Sequence, residues 1–87
     1  MKAADEFVMR NAWDADSVSA FLAVWRGLGA ADRARAAEEP AMRTLTYKLE
    51  QNIQAEMQLI TPDSRPEDRQ QLTVLQGFAR EMTGEAQ

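Results

Sequence analysis

Cysteine and histidine are both missing from this sequence. The first absence excludes disulfides, thiolate nucleophiles and zinc–thiolate centres together. The second removes the commonest general base and the commonest transition-metal ligand. Glycine and proline are sparse, four and three residues respectively, too few for a chain of short strands joined by tight turns. No apolar run exceeds a few residues, so nothing reads as a membrane span. The opening Met1-Lys2-Ala3-Ala4-Asp5-Glu6 lacks the apolar stretch of a secretory signal. A cytoplasmic product, or one assembled there into something larger, is the expectation. A basic stripe is missing too: Lys and Arg interleave with a larger number of Asp and Glu, for a net charge of -4. Binding to nucleic acid through its phosphates is therefore not expected, and the acidity is too diluted for a nucleic-acid mimic.

What remains is strongly helical. Alanine, leucine, glutamate, glutamine, arginine and methionine dominate, and all favour helix. Hydrophobic residues make up 45% and charged residues 28% of the 87 positions, the balance of a globular chain and not of a disordered one. Such a length gives one small domain, near the size at which a single core is marginal. The expected class is all-α, a bundle of three or four helices with no strand.

The frame of that bundle is a helical hairpin over about residues 40–60 and 66–82. From Met42 the apolar positions run Leu45, Leu49, Ile53, Met57 and Ile60, at spacings of three and four. A strict heptad after Leu49 would reach Asn52; the stripe moves to Ile53 instead, a stutter that disfavours a long coiled coil. Tyr47 lies off the stripe, facing either the N-terminal helices or an open surface. Thr61, ahead of Pro62, disfavours the α conformation and ends the first helix near Ile60. Ser64 and Glu67 have the separation of a capping box for the second. Leu72, Leu75, Phe78, Ala79 and Met82 then form its seam, with Thr83, Gly84 and Glu85 beginning a polar tail.

Ahead of the hairpin, residues 3–13 read as a short helix or docking arm carrying Phe7, Val8 and Ala12. Asp14, Asp16 and Ser17 are all able to cap the next helix, whose apolar positions are Val18, Phe21, Leu22, Trp25 and Leu28. Trp25 reads as a core residue burying on the order of 200 Å². Gly27 and Gly29 supply its stop, one of them in the left-handed conformation. The alanine-rich segment 30–39 predicts an exposed helical turn or short helix with an Asp32–Arg35 surface pair, and Pro40 either ends that segment or occupies the first turn of the following helix. The core expected from this pattern is Trp25, Leu45, Leu49, Ile53, Leu72 and Leu75.

Chemistry is not visible in these residues. Arg26-Gly27-Leu28-Gly29 lacks the further glycine, the Lys-Ser/Thr pair and the preceding strand of a phosphate loop. Glu38 and Glu39 are adjacent and point apart on a helix. Ser17, Ser19 and Ser64 have no histidine to activate them. No catalytic residue, cofactor or metal ligand is proposed from the sequence, and the chain is read as a non-enzyme. One position asks for an explanation. Gly77, inside a helix of strong formers, costs up to ~1 kcal/mol relative to alanine; close approach of another helix would account for it, from this chain or from a second one.

Leu45-Thr46-Tyr47-Lys48-Leu49-Glu50, the turn from Pro62 to Pro66, and Leu75-Gln76-Gly77-Phe78-Ala79-Arg80 together resemble short helical-hairpin proteins of tailed bacteriophages. Those proteins lie near head and connector genes. The resemblance spans about half the chain and transfers no catalytic residue. It implies a virion-associated or assembly protein acting through protein–protein contacts, by self-association or on larger virion proteins. Phe7, Trp13, Trp25, Tyr47 and Phe78 are more aromatic bulk than one small core requires. The candidate contact residues are accordingly Phe7, Trp13, Tyr47, Leu75, Gly77 and Phe78. The alternative is a small acidic inhibitor or adaptor, such as an anti-defence protein, that binds a basic site on a host protein.

Overall fold

The computed structural model describes residues 1–83. Five α-helices follow one another: α1 Lys2–Arg10, α2 Ala15–Arg26, α3 Ala30–Ala37, α4 Pro40–Leu59 and α5 Pro66–Thr83. Among the described residues there is no strand, so the all-α class holds, while the expected count of three or four helices is too low. The N-terminal arm and the alanine-rich segment are both regular helices held by buried side chains. Ala4 and Phe7 fix α1, and Ala36 fixes α3. Of the polar tail expected over residues 83–87, Thr83 is the last residue of α5 and the rest lies outside the described residues.

α4 and α5 form the hairpin. α1 packs on α4, α2 packs on α5, and α1 meets α2, so four helices close a ring around one core while α3 rests against α4. Their lengths are unequal. At 1.5 Å per residue the hairpin helices run ~30 and ~27 Å, against ~18 Å for α2 and ~14 Å for α1. The turn end of the hairpin therefore projects beyond the N-terminal pair, giving a body 43 Å long and only 19 Å thick.

Helix boundaries follow local chemistry, with two departures from the sequence reading. α1 stops at Asn11, whose φ of 51° is left-handed and whose N–H returns to the Phe7 carbonyl at 3.0 Å. Asparagine is one of the few residues that tolerate this conformation. Asp14 caps α2, accepting the Ser17 N–H at 3.1 Å and its hydroxyl at 2.8 Å. Gly27 is right-handed at φ -74° and Gly29 is extended at φ -72°, so neither supplies the expected left-handed stop. Arg33 closes α2 instead: its Nε donates to the Trp25 carbonyl at 3.1 Å and its Nη2 to the Arg26 carbonyl at 2.9 Å. A guanidinium satisfies the terminal carbonyls that a left-handed glycine would otherwise help to pair.

Pro40 opens α4 at its first position, and α4 ends at Leu59 with Ile60 extended. The Ser64–Glu67 capping box does not form. Ser64 Oγ accepts the Thr61 N–H at 2.7 Å, which tightens the turn and leaves the α5 N-terminus to its acidic first turn, Glu67 and Asp68. Arg69 braces the same turn by donating to the Pro62 carbonyl at 3.1 Å.

Leu45, Leu49, Leu75 and Trp25 are buried as expected; Ile53 and Leu72 are only half-buried, because they sit toward the projecting end. Phe7 is the centre of the aromatic part of the core. Its ring lies 4.9 Å from Trp13 and 5.7 Å from Phe78, both edge-on, and 5.4 Å from Phe21. Trp25 stacks on Phe21 from the far side at 6.4 Å. No polar side chain is buried among the described residues.

Leu49→Ala is expected to lower the unfolding free energy by ~2–5 kcal/mol through lost transfer energy and the cavity left behind. Urea denaturation reads this directly, and a loss below about half a kcal/mol would mean that the stripe is not core. The Asp14 cap gives a second expectation. Its bonds to Ser17, the hydroxyl bond first, hold the carboxyl below its ordinary pKa. A depressed folded pKa means that this stabilisation is complete at neutral pH and disappears as pH falls below about 4, through the folded value. Asp14→Asn, which caps without titrating, should flatten that segment of the acid-denaturation profile; an unchanged profile would place the acid sensitivity elsewhere.

Candidate protein-interaction surface

The six candidate contact residues divide by burial. Phe7, Leu75 and Phe78 are 6%, 1% and 0% exposed, fully engaged inside the chain and unable to meet a partner without unfolding it. Trp13 is half-buried: its indole N–H donates to Asn11 Oδ1 at 3.0 Å while its ring covers Phe7. Its backbone carbonyl also accepts from Gln71, tying the α1–α2 loop to α5. Tyr47 is open, 63% exposed, and helical geometry sets it opposite the Leu45–Leu49 stripe. Gly77 is exposed on α5.

Of the two approaches that would account for Gly77, the one from a helix of this chain is not made: a Cβ placed there meets no other atom of the described residues within 4 Å. The excess of aromatic bulk also disappears. Phe7, Trp25 and Phe78 are core residues and Trp13 packs against them, leaving Tyr47 as the one aromatic outside. Met57, on the same stripe as Leu45 and Leu49 but outside the expected core, is 56% exposed near the end of α4.

The apolar surface that does remain lies in two places the sequence reading does not single out. At the hairpin end, Met57 and Leu59 are exposed, Leu59 by 71%. At the other, α1 and α2 enclose an open groove of about 190 Å³. Phe7 and Phe21 line its base, Ala20 and Val24 one wall, and Glu6 and Arg10 the other. Met9, the most exposed large apolar residue at 84%, is also on α1 but does not line the groove. Sequence alone carries one signal for this surface. Ser17, Ala20 and Val24 keep helical spacing beside the Phe21 stripe, but with small side chains that fill little space.

Charge gathers at helix ends. Arg26 grips Glu81 with its Nε at 3.0 and 3.2 Å from the two carboxylate oxygens, joining the end of α2 to α5. That bond is the main cause of the lowered Glu81 pKa, with the Arg26 and Arg33 charges adding to it. Asp32 pairs with Arg35 on α3 as the spacing predicts. Among the described residues no group of three or more acidic side chains is placed to hold a metal ion, and no helix is long and apolar enough to cross a membrane.

The fold and its surface thus define a small five-helix bundle with an apolar interior and two patches of uncovered apolar side chains. No protein-family model, curated protein or solved structure matches the chain.

Gly77→Ala is expected to raise stability by ~0.5–1 kcal/mol, since the added methyl meets open space and alanine costs less backbone entropy in a helix. Thermal and urea unfolding measure it; a destabilised variant would restore a crowded backbone.

Proposed function

We propose that this chain is a non-enzymatic structural or assembly protein that works through protein–protein contacts, as a capsid, connector or tail accessory of a tailed phage. One observation carries the contact reading: large apolar side chains stay uncovered although the core is already filled. Met9, Val24, Tyr47, Met57 and Leu59 are all between 47% and 84% exposed. Scattered singly they would need no explanation, but Val24 lines the groove between α1 and α2, and Met57 and Leu59 share the end of α4. The phage setting rests on the hairpin's resemblance in sequence. Gly77, with open space above it, offers room for a helix of another chain to approach. Self-association or a larger virion protein supplies the partner; membranes and nucleic acid do not. The net charge of -4 favours a second reading, an inhibitor or adaptor engaging a basic site on a host protein.

Size-exclusion chromatography with light scattering, paired with affinity capture from host extract, separates the two. A homo-oligomer or a particle-sized association is the expected result. A strict monomer that captures a single host protein would replace the first reading with the second. Gly77→Leu refines the test: the monomer should fold at least as stably as the parent, because helix propensity improves, while an assembly seated on α5 fails to form.

A further inference from the structure

We infer that residues 2–26 have a second arrangement, one continuous helix, in which α1 leaves its own ring and fills the α1 position of another copy of this chain. The inference rests on the assembly reading and deepens it by naming how self-association occurs. Two independent observations carry it. The first concerns the link between α1 and α2. Gly27 and Gly29 interrupt the chain after α2, Pro40 opens α4, and Pro62 and Pro66 bracket the hairpin turn. The link Asn11-Ala12-Trp13-Asp14 holds neither glycine nor proline. Its bend is kept by Asn11, the one non-glycine residue of positive φ among the described residues, a conformation that crowds Cβ against the following carbonyl. The second observation is phase. Of the buried residues of α1 and α2, all but Leu22 (Ala4, Phe7, Val18, Phe21 and Trp25) fall, with Asn11 and Asp14, on positions 4, 7, 11, 14, 18, 21 and 25. Those positions alternate by three and four without a break. A helix drawn straight through the link carries one uninterrupted stripe, polar only at its centre. Two helices joined by an arbitrary loop have no reason to share a phase.

The straightened helix runs about 38 Å, so α1 stands off the end of α2 and cannot reach its own ring. The place it leaves, against α4 and α2 with Phe7 meeting Phe21 and Phe78, is shaped for α1, and a second copy supplies that helix. Two copies that exchange α1 close both rings. The packing of α1 is remade between chains, and the differences fall in the link. The exchange gives up the Asp14 cap on Ser17 and the bonds of Trp13 to Asn11 and Gln71. In return Asn11 becomes right-handed, and the last carbonyls of α1 pair with the first N–H groups of α2 as in any helix interior. With the core contacts alike in both forms, protein concentration decides which form is populated.

Sedimentation equilibrium of the full chain, over a protein range on the order of 10 µM to 1 mM, tests it with two substitutions that pull in opposite directions. Ala15 is the exposed first residue of α2, and Asp14 before it, at φ -71° and ψ 163°, already has the backbone that precedes a proline. Ala15→Pro therefore fits the monomer but not the interior of a continuous helix. It should unfold at or above the parent's temperature and stay monomeric. Asn11→Ala does the reverse, since alanine resists the left-handed bend and favours helix. Each dimer straightens two links, so its dissociation constant should fall at least ~10-fold below the parent's. Hydrogen exchange supplies a signature that a dimer of unopened chains would not give: the amides of residues 12–15 exchange quickly in the monomer and slowly in the dimer. Self-association that Ala15→Pro leaves unchanged would overturn the exchange of α1 while leaving the assembly reading intact. A parent that is monomeric throughout the range overturns the inference; capture of a host protein by that monomer would then overturn the assembly reading as well.

Discussion

The edge-on contact between Phe7 and Phe78 is the constraint on which this fold depends. It joins the first helix to the last, and each ring also touches Phe21 on the second. A nine-residue helix is marginal in water by itself, so α1 exists because this cluster takes it up. Each aromatic pair contributes ~0.5–1.5 kcal/mol beyond the area it buries, and in a domain of this size such increments are a large fraction of net stability. Removing the cluster would leave a bare hairpin, with α1 and α2 having nothing to close upon.

Because the rings and aliphatic side chains fill the interior, the charges of the described residues lie at the perimeter, where several of them work at helix ends. Arg33 holds the last carbonyls of α2, Arg26 bridges to Glu81, and Asp14 holds the Ser17 N–H in the first turn of α2. Exposed pairs of this kind add little free energy. Their effect is directional: they set where α2 stops and how α3 leaves it, which fixes the entry of the chain into α4.

The hairpin was legible because its stripes, the Thr61-Pro62 boundary and the position of Pro40 all state the same thing at short range. Leu45, Leu49 and Leu75 could be placed in the core for that reason, and Trp25 by its place in the apolar stripe of α2. Most misreadings share one cause, a partner farther along the chain overriding a local signal, while at Ser64 one local bond displaces another. Gly27 and Gly29 looked like a helix stop, but Arg33 does that work from the next helix. Ser64 looked like a cap and turned back to Thr61 instead. Phe78 and Phe7 looked like spare aromatics because their contact spans nearly the whole chain, and no local pattern announces it. Of the surface residues put forward from sequence, Tyr47 and Gly77 alone are fully outside; periodicity finds a seam but does not say which turns of it are covered.

Coverage, in turn, is decided by length. Were the four ring helices equal, the seams would be closed along their whole extent. α1 and α2 are too short for that, and Met57 and Leu59 lie past their reach. On α1 the division runs around the helix instead of along it. Ala4 and Phe7 face inward and make the fold, while Glu6, Met9 and Arg10 face outward and take no part in it. Substitutions on the outer edge are therefore separable from folding, whereas those on the inner edge are not. The two edges still communicate through stability. A helix that owes its order to one aromatic cluster opens more readily than the hairpin beneath it, and anything binding its outer edge stabilises the closed form by mass action. Protection of the α1 backbone amides is thus the property that couples a contact on this surface to the integrity of the ring.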